Sequence, residues 1–295
     1  GVPKFDVGIV LKGRYRVEQM IGKGGFGLVY AATDLENGNR PVAIKTLKHN
    51  LDDYEMAAKR FKREIELCQC IENSHAVKIY DDGVADDGTL YYVMEYLEGC
   101  GLDSLIEKRE KFTFRETKAI LAEAHEKKII HRDLKPANIW LTEKTIDNLR
   151  AFDVKVLDFG IAKAIDKNAG EDKLTQTGTW MGSPAYMSPE HLTGREVTPA
   201  SDIFAIGLIA IEMITNLLKI MEKIDSLDKK ILEIISQNDV YIEDWILETS
   251  FGEVLANCVK KAPSARYKNA RELLNTFSAM EDDDLRNEYN EAKLR

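Results

Sequence analysis

The sequence predicts an α+β chain of two lobes, the first a small antiparallel β-sheet carrying one major helix. Three observations point there. At 295 residues the chain exceeds the size at which one hydrophobic core stops growing, and 44% of it is apolar, enough for a sizeable interior. Its first third alternates short β-type runs with Gly, Asn and Asp turns, interrupted by one helical stretch from Tyr54 to Cys70. An apolar strand, Tyr91 to Leu97, then runs into Glu98-Gly99-Cys100-Gly101, a glycine-bearing connector that suits a hinge. The expected layout is one domain over 1–295: a first lobe over about 14–95, a hinge over about 95–101, a second lobe over about 102–280, and an acidic tail over 281–295 that reads as a short helix or frayed end.

Arg14 to Val17 and Gly27 to Ala32 read as two strands joined by Ile21-Gly22-Lys23-Gly24-Gly25-Phe26-Gly27. Gly22, Gly24 and Gly27, followed by Val29, spell G-x-G-x-x-G-x-V. Without β-carbons the backbone can approach a polyphosphate and aim N–H groups at its oxygens. A dinucleotide-binding loop would need a helix after the last glycine; here Leu28-Val29-Tyr30 follows, which disfavours it. Asn37-Gly38-Asn39 marks a turn, and Pro41 to Lys45 a strand with one lysine among apolar neighbours. Lys45 is either a solvated edge residue or a buried cation in need of a carboxylate. Phe61, Glu64, Ile65 and Cys68 share one helical stripe, so a Lys45–Glu64 ion pair is expected. Val77 to Tyr80 and Leu90 to Met94 add strands around the Asp86-Asp87-Gly88 turn, for about five strands in all.

Further on, His131-Arg132-Asp133-Leu134-Lys135-Pro136-Ala137-Asn138 packs an acid, two cations and an amide into a loop stiffened by proline. Asp133 could accept a hydroxyl proton and Asn138 hold a divalent ion; alone, the string could equally be a polar surface turn. The net charge of −9, from 41 basic and 50 acidic residues, argues against nucleic acid or an anionic membrane as partner. Cys68, Cys70, Cys100 and Cys258 form no C-x-x-C pair and are expected to be reduced thiols. No apolar run reaches the roughly 18 residues of a membrane helix. The N-terminus carries no signal-peptide pattern, and Gly1 with Pro3 and Phe5 reads as a trimmed start, not a myristoylation signal.

Taken in order, the glycine loop, the Lys45 strand, the Glu64 helix, the His131 loop and Asp158-Phe159-Gly160 resemble the eukaryotic-type (Hanks-type) protein Ser/Thr kinase family over about Tyr15 to Phe277. The style of the motifs is most similar to bacterial members. The resemblance implies a bilobal protein-kinase-like fold with a larger, mainly helical second lobe, and transfer of the γ-phosphoryl of ATP to Ser/Thr hydroxyls of proteins with Mg²⁺ (or Mn²⁺). Gly22, Gly24 and Gly27 would cover the phosphates, and Lys45, held by Glu64, would grip them. Asp158 and Asn138 would hold the metal. Asp133 would take the hydroxyl proton, and Lys135 would neutralise charge on the transferred group. Adenine would lie between Ile21, Val29 and Ala43 above and Trp140 below, against Met94 and the backbone at Glu95 and Leu97.

The resemblance also implies control and docking. Met181 to Glu190 is similar to the substrate-docking segment, with Ser183 in it and S-P-E in place of A-P-E. Glu190 would pair with Arg266, and Asp202 would brace the catalytic loop or cap the central helix that begins near it. Thr175, Thr177 and Thr179 would be activation-loop phosphosites, phospho-Thr179 pairing with Arg132. A homodimer for trans-autophosphorylation and a cytoplasmic location, as one domain of a longer or membrane-anchored protein, follow from the same likeness. A pseudokinase scaffold is the alternative. The chain departs from the family elsewhere too: Thr142 to Phe152 is a longer turn, Trp140 replaces an aliphatic residue, and the helix before the catalytic loop is shorter by about two turns.

Overall fold

The structure, a computed structural model, describes residues 4–24, 27–47, 54–69, 75–108, 111–125, 131, 134–157, 184–215 and 239–294. These fall into two compact units, one ending at Glu98, the other comprising Gly99–Leu157 and the described residues from 184 onward.

The first unit is an antiparallel sheet of β1 (Val10–Leu11), β2 (Tyr15–Gly24), β3 (Gly27–Asp34), β4 (Arg40–Thr46), β5 (Ile79–Val84) and β6 (Leu90–Glu95), in the order β1-β2-β3-β4-β6-β5. It has six strands where five were expected. β1 is only two residues long and ends at Lys12 and Gly13, both at positive φ, so no alternation betrays it. Its presence also carries the sheet to the N-terminal side of residue 14. Phe5 packs its ring 5.5 Å from Tyr30 and 6.1 Å from Tyr91, and its amide donates to the Tyr30 hydroxyl. The sheet curls until its two ends meet: Lys12 Nζ lies 2.8 Å from Asp81 Oδ1, and the Tyr15 hydroxyl donates to Asp81 Oδ2 at 3.0 Å. Enclosed by that curl is a dry core of Phe5, Leu11, Tyr15, Val17, Tyr30, Ile44, Tyr91 and Val93. Helix α1 (Tyr54–Gln69) covers the other face, where Phe61 and Ile65 are buried and Cys68 half-buried, as the stripe predicts.

The second unit opens with β7 (Cys100–Gly101) and α2 (Leu102–Glu107). Helix α3 (Phe114–His125) precedes the stretch from His131 to Asn138, and β8 (Ile139–Ile146) and β9 (Leu149–Val156) follow it, in a sheet of order β7-β8-β9. The expected long turn over 142–152 is instead a continuous ladder, from Ile139↔Val156 to Ile146↔Leu149. Only Asp147 and Asn148 form the turn, both at positive φ as a two-residue hairpin of this twist requires.

Helix α4 (Pro189–Leu192) is short, and α5 (Pro199–Thr215) is buried from Ala200 to its end because it is apolar on every side. Then come α6 (Asp244–Leu247), α7 (Ser250–Cys258), α8 (Ala270–Ser278) and α9 (Asp282–Leu294). Gly207 lets α5 and the end of α7 touch: a β-carbon there would lie 2.6 Å from Val259 Cγ1 and 2.8 Å from Cys258 Cβ. The acidic tail is no frayed end. α9 buries Leu285, Tyr289 and Ala292 against its neighbours. Among the described residues no helix is long and apolar enough to cross a membrane.

Candidate active site

In the first unit strand register decides which side chains meet. Val29, Lys45 and Tyr92 are cross-strand partners, as are Ala31, Ala43 and Met94. Side chains alternate faces with period two, so Val29, Ala43, Lys45 and Met94 share the face on which Phe61 of α1 packs 6.5 Å from Tyr92. Ala43 and Met94 are buried there, Val29 and Lys45 half-buried. Glu64 lies on α1, but its side chain is outside the described residues.

The glycines of the loop differ in what they answer to. A β-carbon on Gly27 would sit 1.7 Å from the Thr46 carbonyl oxygen, so strand packing itself demands glycine. On Gly22 it would meet only the Val29 side chain, at an ordinary 3.6 Å. Nothing inside the sheet requires glycine at 22, which leaves room for a group from outside the chain. Gly24 ends β2 opposite Gly27, and Ile21 is an exposed apolar side chain beside Gly22. Glu95 closes β6 with its amide donating to Lys78 O at 2.9 Å and its carboxylate accepting from Lys78 N–H at 2.8 Å. Its amide being engaged, a carbonyl is what Glu95 could present to a base. Leu97 follows, half-buried in irregular chain.

In the second unit one backbone residue ties His131 to Asn138, the two ends of the loop singled out in the sequence. The Leu157 amide donates to Asn138 O at 2.9 Å, and its carbonyl lies 2.7 Å from His131 Nε2. A carbonyl only accepts, so Nε2 is the protonated nitrogen. The His131 amide donates to Asp202 Oδ2 at 2.7 Å, and Asp202 is 4% exposed. Asp202 stands inside the first turn of α5, not at its cap, so of the two roles considered for it the loop-bracing bond is the one observed. Pro136–Asn138 form a tight 3-10 turn, closed by Asn138 N–H to Lys135 O, with Pro136 at the position where its missing N–H costs nothing. Asn138 is buried and Lys135 half-buried.

Trp140 lies on β8 between Gly101 of β7 and Lys155 of β9, half-buried on the face opposite buried Ile139 and Leu141. Arg132, Asp133, Asp158, Thr175, Thr177, Thr179 and Ser183 lie outside the described residues. The Leu157 amide thus brings the chain back to Asn138 one residue before Asp158 in sequence.

Beyond the loop, Arg266 forks onto Glu190, Nη1 to Oε1 at 2.7 Å and Nη2 to Oε2 at 2.9 Å. Burial would push the Glu190 carboxyl up, but Arg266 and Ser201, whose hydroxyl donates at 2.6 Å, hold it down at about 2. Ser188, the serine of S-P-E, has a local role. It caps α4, its hydroxyl accepting the His191 amide at 3.4 Å with Pro189 in the first helical position. Serine directly before proline and glutamate is a helix-start signal that could have revealed it. Between this segment and Lys135 lies a recess lined by Leu134, Tyr186, Met187, Ser188, His191, Val197, Ser201, Asp202 and Ala205.

The family model described as the protein kinase domain matches residues 15–277, and the chain belongs to that family. Among its relatives is a probable serine/threonine-protein kinase of Clostridium acetobutylicum, 36% identical over 281 aligned residues, with 92% of this chain and 40% of the relative covered. Serine/threonine-protein kinase PknA of Mycobacterium tuberculosis is 33% identical over 221 residues, covering 71% of this chain and 48% of PknA. The chain thus spans less than half the length of these relatives. The PknI kinase domain of M. tuberculosis has the same fold, with a TM-score of 0.64 at 23% identity over 94% of this chain and 98% of that one. The family as a whole works with ATP and a divalent metal on protein substrates.

Proposed function

We propose that this chain is the catalytic domain of a serine/threonine-protein kinase, transferring the γ-phosphoryl of ATP to Ser and Thr hydroxyls of proteins. The observation that carries the reading is the Leu157 tie. It binds His131 and Asn138 to the residue that precedes Asp158 in sequence, which supports reading Asp133, Asn138 and Asp158 as parts of one reaction site.

In this reading Asp133 orients the attacking hydroxyl and takes its proton, and Lys135 neutralises charge on the transferred group. Lys45 draws the phosphates against the face it shares with Val29, Ala43 and Met94, beneath the glycine loop. Asn138 and Asp158 would hold Mg²⁺ or Mn²⁺, which when bound supplies positive charge to the phosphate oxygens. Phosphorylation would fall on Thr175, Thr177 and Thr179, passed between two copies of the chain, with phospho-Thr179 charge-balancing Arg132 and ordering the segment ahead of Ser183. A cytoplasmic setting is part of the same reading, carried by the family likeness alone.

The test is incubation of the protein with labelled ATP, an acceptor protein and either Mg²⁺ or Mn²⁺, beside Asp133→Asn. Label on Ser or Thr that falls at least about a hundredfold in the variant is expected. Nucleotide binding without transfer in both proteins would replace the kinase reading with a scaffold.

A further inference from the structure

Helix α9 lies beyond residues 15–277, the span of the family match, yet it is built into the second unit. Leu285, Tyr289 and Ala292 recur at i, i+4 and i+7 and are buried. The Tyr289 ring meets Phe114 edge-on at 5.1 Å and Trp245 at 6.1 Å. Phe114 is the first residue of α3, fully buried and stacked on Phe251 at 4.9 Å. One turn along, Lys118 donates to Met280 O at 2.7 Å and to Asp282 Oδ1 at 2.9 Å, while Arg115 lies 3.5 Å from Asp282 Oδ2. Aromatic packing and charged hydrogen bonds thus fasten α9 to the opening turns of α3.

What α3 touches next gives this a functional meaning. It packs along β9 and α5, and the Phe112 amide ahead of it donates to Met213 O of α5 at 2.9 Å. These two elements hold His131: Asp202 of α5 takes its amide, and Leu157, directly after β9, takes its ring. By the family likeness α3 is also expected to be shorter than usual, with less surface of its own with which to hold position.

We infer that α9 is a positioning element of this chain, with Tyr289 and Asp282 steadying the His131–Asn138 loop through α3. Its bearing on turnover rests on the kinase reading above; its bearing on the loop does not. The experiment uses the full chain, with Tyr289→Ala, Tyr289→Phe and Asp282→Ala. It reads hydrogen exchange of the His131 amide against that of Ile209 in mid-α5, kcat and KM for ATP well below the melting temperature, and the Tm.

Tyr289→Ala should speed His131 exchange roughly tenfold more than Ile209 exchange, and lower kcat about fivefold at unchanged KM. Tyr289→Phe keeps the ring and should restore both. Asp282 is exposed and its loss should be tolerated by the fold, so Asp282→Ala should move both readouts the same way by a smaller factor and keeps the test open should Tyr289→Ala not fold. A fall in Tm with His131 exchange tracking Ile209 and kcat unchanged would leave α9 a stabilising helix only and overturn the proposal. If the wild type transfers no phosphate, the kinase reading fails while selective His131 exchange still decides this one.

Discussion

Each unit buries one carboxylate in the fork of an arginine, and the two differ in how far along the chain the partners come from. Asp34 accepts from Arg14 Nε at 2.7 Å and Nη2 at 2.9 Å, from Asn37 at 2.8 Å and from Arg40 at 3.1 Å. Its partners are Asn37 in the turn it starts and two residues at the near ends of the flanking strands, Arg14 just before β2 and Arg40 opening β4. Its own side chain is inaccessible, but those of Arg14 and Arg40 are 25% and 37% exposed. Glu190 and Arg266 are 76 residues apart, and the Arg266 side chain is 0% exposed. Arg266 also donates to the carbonyls of Ala200, Lys260 and Lys261 and lies over the Phe204 ring. The first cluster closes a local turn with its cations in reach of water. The second joins distant segments with neither charge able to escape, and so fixes the start of α4.

Breaking the second should therefore cost more. Arg266→Ala strands the Glu190 carboxylate in the interior and is expected to cost about 3–5 kcal/mol. Asp34→Ala leaves two arginines that can turn outward and rehydrate, so about 1–3 kcal/mol is expected. Urea unfolding separates them: residues 1–98 contain no tryptophan, while Trp140 and Trp245 belong to the second unit. Arg266→Ala should move the tryptophan transition strongly, and Asp34→Ala should act mainly on the sheet, followed by far-ultraviolet circular dichroism. Equal costs would mean that burial of the cation, the feature that separates the two clusters, has no energetic weight.

Sequence made the local parts of this molecule visible and hid the distant ones. The turn at Asn37-Gly38-Asn39, the strands around Lys45 and the stripe of α1 show as composition and period. Even there Asp34 passed unnoticed: its burial follows from alternation along β3, but its charge disguised it as a surface residue. Glu190 and Arg266 were placed only through a family likeness, because 76 intervening residues leave no local signal. Leu157 could not have been found, since both of its ties are made by backbone groups that almost any residue carries. The β8–β9 ladder and α9 were underread for a related reason. Their charges, Glu143 with Arg150, Lys144 with Asp153, and the triple aspartate opening α9, mask a regular apolar face behind a polar one.

The smallest expected effect divides the Glu190 cluster itself. With a folded pKa of about 2 against an ordinary 4.5, Glu190 stabilises the second unit fully above pH 4.5, and that contribution is lost as pH falls from there toward 2. The Asp34 carboxyl is also held well below its usual range, chiefly by Arg14 against the opposing effect of burial, so its contribution to the sheet is lost in acid in the same direction. Ser201→Ala removes one donor to Glu190 and leaves Arg266 in place. It should cost about 1 kcal/mol at neutral pH and raise the pH at which the second unit loses tryptophan signal, with the acid response of the sheet unchanged. Arg266→Ala should flatten the pH dependence between 4.5 and 2, because a Glu190 without its partner has little left to lose on protonation. An acid midpoint in Ser201→Ala identical to the wild type would assign the whole depression to Arg266 and reduce Ser201, which also accepts the Thr198 amide at 3.2 Å, to the start of α5.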